Sequence, residues 1–395
     1  MSPAVRRGPW GAVGLAALQV LGLGSLYAWS VLIGPVQARF GVGRTETGLV
    51  FALAMAVFTV AVLLGPRCIA GRRPPYVGAF ACVAGAAGLG SAALAPTFPL
   101  FLMAYAGLFA AASGLGYAAG LQIAAGSGLA RTGLATGVVV ASYALGAVTL
   151  GPAMSVLGDA FGLAVALALP ACMLVVIAGG TAALGALAPA TTTPKGPISR
   201  ERDVAGALGR ELPSPPAGLI ALLWFAFGCG AAGGLMAIGH AAGIVAAAGG
   251  TAAVGGLAAA VIATGNASGR LACGPIADRF GPRPVLVAAA FGAAAAIGVM
   301  ASVSDVAVLL VSLGVIGVSY GMMATGYPVA VQRFFGAARF GVVYGRVFTA
   351  WGLAGLTAPW LAGWIFDRND DYRPALVIAS AAACLSALAA SRIPR

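Results

Sequence analysis

The sequence predicts an all-α membrane protein with twelve transmembrane helices in two pseudo-symmetric six-helix bundles and both termini cytoplasmic. Three observations predict it. Apolar runs of about 20 residues recur along the chain, each long enough to cross a hydrocarbon core about 30 Å thick at 1.5 Å per residue. Basic residues gather in alternate loops. A short pattern that begins at Arg131 returns 208 positions later, at Arg339.

Composition excludes the soluble classes first. Of 395 residues, 61% are hydrophobic and only 8% charged, whereas a soluble domain needs roughly a quarter charged residues to solvate its surface. Mean hydropathy is +0.99. The 60 glycines suit helices that associate by close van der Waals contact in lipid. A compositional bias toward Gly and Ala would give the same count, so glycine number alone locates no site. The six cysteines, Cys68, Cys82, Cys172, Cys229, Cys273 and Cys384, are scattered through apolar runs without a C-x-x-C pair or a histidine cluster. No metal, disulfide or cofactor is expected from that pattern.

The spans follow in order. They are expected near 10–33, 47–65, 76–94, 98–119, 134–155, 161–187, 218–240, 251–275, 284–301, 304–328, 341–363 and 374–391. Arg6 and Arg7 precede the first apolar run and imitate the start of a secretory signal. The run is too long for a signal's apolar core, so it is read as a retained first span. The polar stretch between spans six and seven, with Lys195, Arg200, Glu201, Arg202, Asp203 and Arg210, divides the chain. The expected organisation is an N-terminal bundle at 1–187, a cytoplasmic linker at 188–217 and a C-terminal bundle at 218–395.

Charge orients the spans. With the N-terminus inside, inner loops and tails hold sixteen Lys/Arg, and the outer side holds four: Arg39, Arg44, Arg368 and Arg373. That asymmetry is the positive-inside signature, and it accounts for the net charge of +12 without nucleic acid. Repeats support the two halves. Arg131-x-Gly133-x-x-x-Gly137 matches Arg339-x-Gly341-x-x-x-Gly345 at 208 positions, Pro152 matches Pro359 at 207, and Gly65 matches Gly274 at 209. Six spans return a chain to its starting side, so repeated halves of this kind run parallel.

Between spans eight and nine lies Gly274-Pro-Ile-Ala-Asp278-Arg279-Phe-Gly281-Pro-Arg283. This G-x-x-x-D-R-x-G-x-R pattern resembles the loop signature of the major facilitator superfamily. Its N-terminal counterpart, Gly65-Pro-Arg67-Cys-Ile-Ala-Gly71-Arg72-Arg73, lacks the acid. Within that superfamily, four places resemble the oxalate:formate antiporter and monocarboxylate porter branch. Tyr27-Ala-Trp29-Ser30 resembles its span-one signature, and Asn266-Ala-Ser-Gly-Arg270 stands where the family carries a substrate-binding arginine. Tyr117 and Tyr320 lie near positions of cavity aromatics. The resemblance implies secondary active transport of a small organic anion by a multi-pass protein of the cell inner membrane, monomeric, whose partners are substrate and lipid bilayer. One position departs. Where the oxalate porter supplies a lysine for the second carboxylate, this chain has Trp351, so a monocarboxylate is the expected substrate.

The charge census points the same way. Of the ten acids only Asp305 touches a predicted span, at the very edge of 304–328, whereas Arg270 and Arg346 lie deeper within theirs. A cation at mid-membrane costs about 2.5–3.5 kcal/mol even on insertion scales. A carboxylate substrate would offset that cost, and arginine suits it through its bidentate fork. Helical side chains lean toward the helix N-terminus, which carries Arg270 toward the membrane midplane and Arg346 toward the cytoplasm. Arg270 is therefore the preferred ligand and Arg346 the lesser candidate. Asn266, one helical turn away, is placed to steady the guanidinium. Tyr27, Tyr117, Tyr320 and Trp351 are expected to wall the site, although each alone would serve as aromatic filler between helices. His240, the single histidine, is expected in a solvated place at the outer end of span seven, with a substrate or gating role as the lesser reading.

Two alternatives keep the same fold. Gly146 and Gly151-Pro152 loosely resemble the glycine-proline motif of drug/proton antiporters, but the spacing differs and the spans lack the acid such pumps titrate. A transporter-like nutrient sensor would usually add a signalling extension to these short tails. An enzyme is not expected, since one histidine and no intramembrane acid assemble no catalytic set.

Overall fold

The computed structural model describes residues 9–187 and 216–394, so the predicted linker lies outside them except for 216 and 217. The first part contains α1 (Pro9–Leu23), a 3-10 segment (Gly24–Ala28), α2 (Trp29–Phe40), α3 (Arg44–Ile69) and α4 (Pro74–Leu94). It continues with α5 (Phe98–Leu102), a π-helical segment (Met103–Phe109), α6 (Ala110–Ala125), α7 (Thr132–Phe161) and α8 (Leu163–Leu187). Beyond the linker come α9 (Ala217–Ala247), α10 (Ala252–Phe280), α11 (Pro282–Ser302), α12 (Val306–Asn369) and α13 (Arg373–Ala390). All described regular structure is helical, as a lipid solvent demands of any open chain.

Helix boundaries have local causes. Proline in the first turn opens α4, α5, α11 and α13, where its missing N–H costs nothing. The Thr251 and Asp305 side chains accept from Val254 and Val308 amides and so cap α10 and α12. Expected span one is broken by the 3-10 segment at Gly24–Ala28 and expected span four by the π segment, and neither interruption was anticipated.

Two connections differ from expectation. The loop expected between 328 and 341 is helix, interrupted only at Gly336, whose φ of 68° is open chiefly to glycine. The G-x-x-x-D-R-x-G-x-R signature is likewise no extended loop. Gly274 through Phe280 complete the last turns of α10, and Gly281, at φ 83°, makes the whole corner into α11. One residue with no Cβ is enough to turn each helix.

The chain forms two compact units, Met1–Pro213 with Phe335–Gly345, and Ser214–Phe334 with Arg346–Arg395. In the first, α4 packs along α8, α3 along α6, and α1 along α7. In the second, α13 packs against both α11 and α9, around a core that includes Met236, Ile244, Ile262, Ile297, Leu313, Ile316 and Leu376. Among the described residues, ten helices are long and apolar enough to cross a membrane. Helix α10 carries the polar residues Asn266, Ser268 and Arg270 within its apolar run.

Candidate substrate-binding site

Small residues bring α10 against α12. A Cβ on Gly265 would meet the Gly314 carbonyl at 2.6 Å, and one on Gly269 would collide with the Val318 carbonyl. From the other side, a Cβ on Gly321 would collide with the carbonyl of Asn266. The two backbones therefore touch where a larger residue would hold them apart. That contact fixes the stretch of α10 from which Asn266 and Arg270 project.

Arg270 is 3% exposed. Its Nε donates to Asn266 Oδ1 at 2.8 Å, the i,i+4 pairing that helical geometry allows. Its Cζ stands 5.9 Å from the centre of the Tyr320 ring, a cation–π distance. The Tyr320 hydroxyl accepts from Trp351 Nε1 at 2.7 Å, and the Trp351 ring stacks on Phe348 at 4.9 Å. Thr325 donates from Oγ1 to the Arg270 carbonyl at 3.2 Å. Four of the six principal expected residues, Arg270, Asn266, Tyr320 and Trp351, thus form one buried layer in the second unit.

The other two meet in the first unit. Tyr27, carried on the 3-10 segment, approaches the Tyr143 ring edge-on at 4.8 Å, and Tyr117 approaches it at 5.4 Å. Phe58 closes the group at 5.3 Å from Tyr143. Tyr143 is 1% exposed, and its hydroxyl shares a 2.9 Å hydrogen bond with Ser113 Oγ, which is also placed to donate to the Leu23 carbonyl. The sequence reading missed both Tyr143 and Ser113. The signal was present, since Tyr143 lies 208 positions before Trp351 and Ser113 lies 207 before Tyr320.

The lesser candidates are placed differently. Arg346 is exposed on the surface of its unit. His240 corrects the expectation of a solvated side chain, because it is half-buried with both ring nitrogens in hydrogen bonds. Of the signature residues, Asp278 and Arg279 are exposed, Arg279 lies 5.1 Å from the Phe280 ring, Gly274 and Gly281 are buried, and Arg283 is half-buried. All six cysteines are free, and no group among the described residues gathers three metal-ligating side chains.

The architecture is that of the major facilitator fold. Solved structures with it include the proton:xylose symporter XylE bound to 6-bromo-6-deoxy-D-glucose, 15% identical with a TM-score of 0.74, covering 96% of this chain and 94% of that one. They also include the transporter FucP in the outward conformation, 17% identical with a TM-score of 0.71 over the whole of both chains. Residues 223–395 match the family model of the Major Facilitator Superfamily. A protein of Thermoproteus tenax, described as an uncharacterized 38 kDa protein in a 23S RNA operon, is 26% identical over 93% of this chain and 91% of its own.

Proposed function

We propose that the chain is a secondary transporter of the major facilitator type that carries a small organic anion, a monocarboxylate, across the cell membrane by alternating access. In this reading twelve spans cross the bilayer, both termini are cytoplasmic, and the monomer is the working unit. Arg270 binds the carboxylate, with Asn266, Tyr320 and Trp351 around it, and Tyr27 and Tyr117 are the candidate aromatics of the first unit.

One observation carries the reading: a buried arginine held at Nε by Asn266 and backed by the Tyr320 ring. Pinning Nε fixes the guanidinium plane, and a fixed plane matches the two oxygens of a carboxylate better than a mobile point charge does. The aromatic ring and indole beside it exclude water, which strengthens a charge-assisted hydrogen bond. Trp351 is already engaged with Tyr320 and brings no second cation, which favours one carboxylate over two.

The test is uptake into proteoliposomes of radiolabelled mono- and dicarboxylates of one to four carbons, with xylose and fucose as neutral controls. Saturable uptake of a monocarboxylate is expected, with loss of measurable uptake in Arg270→Gln and most of it in Arg270→Lys. A folded Arg270→Gln protein that keeps wild-type affinity would overturn the assignment.

A further inference from the structure

Two groups that can only donate fix the polarity of the Arg270 layer. Arginine Nε–H has no acceptor capacity, so the atom of the Asn266 amide that faces it at 2.8 Å is the oxygen. The amide nitrogen, with its two hydrogens, is left outside that bond. The Trp351 indole N–H also only donates, so the Tyr320 hydroxyl oxygen accepts from it at 2.7 Å. The hydroxyl's own hydrogen must then point elsewhere. Amides and hydroxyls can offer a ligand either a donor or an acceptor. Here each has its acceptor engaged and its donor left over.

The protein makes no use of these donors. Asn266 is 7% exposed and Tyr320 1%. Among the described residues, neither the Asn266 amide nitrogen nor the Tyr320 hydroxyl hydrogen has an acceptor. Thr325, the other hydroxyl bonded to the layer, commits its hydrogen to the Arg270 carbonyl. Tyr320 is also held in place, because a Cβ on Gly234 of α9 would stand 2.5 Å from its ring. Asn266 is held by the arginine it orients.

Buried donors are almost always paired, and a stranded one costs more than the bond it would make adds. The ligand that completes this layer therefore brings oxygens that accept and carry no hydrogen. Both spare donors are uncharged, which suits a neutral oxygen better than a second carboxylate. The Asn266 amide nitrogen stands one amide's width from the oxygen bound to Arg270 Nε. An acceptor on the carbon next to the carboxylate lies within its reach.

We propose that the carried monocarboxylate is a 2-oxo acid, an assignment that rests on the reading of Arg270 as the carboxylate's ligand and narrows it. The carboxylate lies on Arg270, and the oxo oxygen and the nearer carboxylate oxygen take up the Asn266 and Tyr320 donors between them. A 2-oxo acid presents three oxygens, none bearing a hydrogen. A 2-hydroxy acid brings one hydrogen for which the layer holds no unengaged acceptor. That hydrogen turns back on its own carboxylate and occupies a lone pair that Arg270 would use. An acid with no oxygen at C2 leaves the donors stranded. The order of preference is 2-oxo, then 2-hydroxy, then unsubstituted.

The test compares radiolabelled acids that differ only at C2, in sets of two, three and four carbons. Pyruvate, lactate and propionate form the middle set. In proteoliposomes the 2-oxo acid is expected to have a KM about tenfold below its 2-hydroxy partner and about a hundredfold below the unsubstituted acid, the size of one or two stranded groups. Tyr320→Phe and Asn266→Ala each remove one donor, and each should shrink the ratio of unsubstituted to 2-oxo KM by about threefold or more. A substitution that only disturbs the pose of Arg270 raises all three values together and leaves the ratio alone. Should one variant fail to fold, the other reads the same ratio. Equal KM values within every set, a preference for the 2-hydroxy acid, or an unmoved ratio in the folded variants would each overturn the 2-oxo assignment. Uptake that is still lost in Arg270→Gln would leave the carboxylate reading standing in those cases. Saturable uptake of none of these acids would overturn both.

Discussion

Trp351 and Tyr320 share a 2.7 Å hydrogen bond from indole N–H to hydroxyl, and the same relation exists 208 and 207 positions earlier between Tyr143 and Ser113. A second pair of contacts repeats with it. Gly321 closes on the Asn266 carbonyl, and Gly114, 207 positions earlier, closes on the Phe58 carbonyl, 208 before Asn266. Each unit thus fastens its helices by the same two devices, a bond between aromatic and polar side chains and a glycine against a carbonyl. The chemistry on that frame has diverged: the positions of Phe58 and Val62 in the first unit are those of Asn266 and Arg270 in the second.

Breaking the Trp351–Tyr320 bond from either side should destabilise the protein. Tyr320→Phe leaves the indole N–H buried without this acceptor, and Trp351→Phe keeps the ring contact with Phe348 while removing the donor. Each is expected to cost about 1–3 kcal/mol. The double variant should cost less than the sum, since no polar atom is stranded. Thermal unfolding of the purified variants measures it, and strictly additive losses would argue against the pairing.

Gly114→Ala and Gly321→Ala should each force helices apart, because the new methyl meets backbone that cannot swing away. About 1–3 kcal/mol of destabilisation is expected, the usual cost of overpacking. Gly90→Ala, where nothing lies within 4 Å, is the control and should be neutral or slightly stabilising. Equal unfolding temperatures for the two classes would contradict the close approach.

On the proposed function, Asn266→Ala should raise KM for monocarboxylate uptake by about tenfold, near 1.4 kcal/mol, with smaller effect on the maximal rate. In that proposal its role is to orient Arg270, whose Nε it accepts from, rather than to supply charge. Uptake kinetics in proteoliposomes decide this, and an unchanged KM would mean that substrate binding orients the guanidinium without it.

Trp351→Lys places a second cation on the far side of Tyr320 from Arg270's own contact with it, in the same buried layer. Competition by dicarboxylates against monocarboxylate uptake should strengthen, because the second carboxylate then has a partner. A fall in all uptake with no change in preference would show that Trp351 serves only as packing against Phe348 and Tyr320.

What could be read from sequence divides along physical lines. Hydropathy marks long apolar helices because lipid imposes one length on all of them, so the helical regions were legible. The Asn266–Arg270 pair was legible too, since a four-residue spacing fixes their common face. Tyr143 was not, as a lone tyrosine in an apolar span gives no local signal, and only the 208-residue offset applied to Trp351 identifies it. The turn at Gly336 was misjudged because a single left-handed glycine does the work assigned to a loop. His240 was read from its position near a helix end, whereas its burial depends on Pro359 and Gly363, far along the chain in α12, and on Tyr372 from the turn before α13.

The polar residues within α10 bear on how the protein is made. A translocon admits each emerging segment by its own partitioning into lipid, and an arginine near the centre counts against entry by about 2.5–3.5 kcal/mol. Helix α10 carries Asn266 as well, and the glycines that dock it, Gly265 and Gly269, face Gly314 and Val318, which are synthesised later. Its stable residence in the bilayer is therefore completed by a helix not yet translated when it first emerges. Nascent chains that stop before residue 306 should leave this segment susceptible to slipping out, and those extended through residue 335 should retain it.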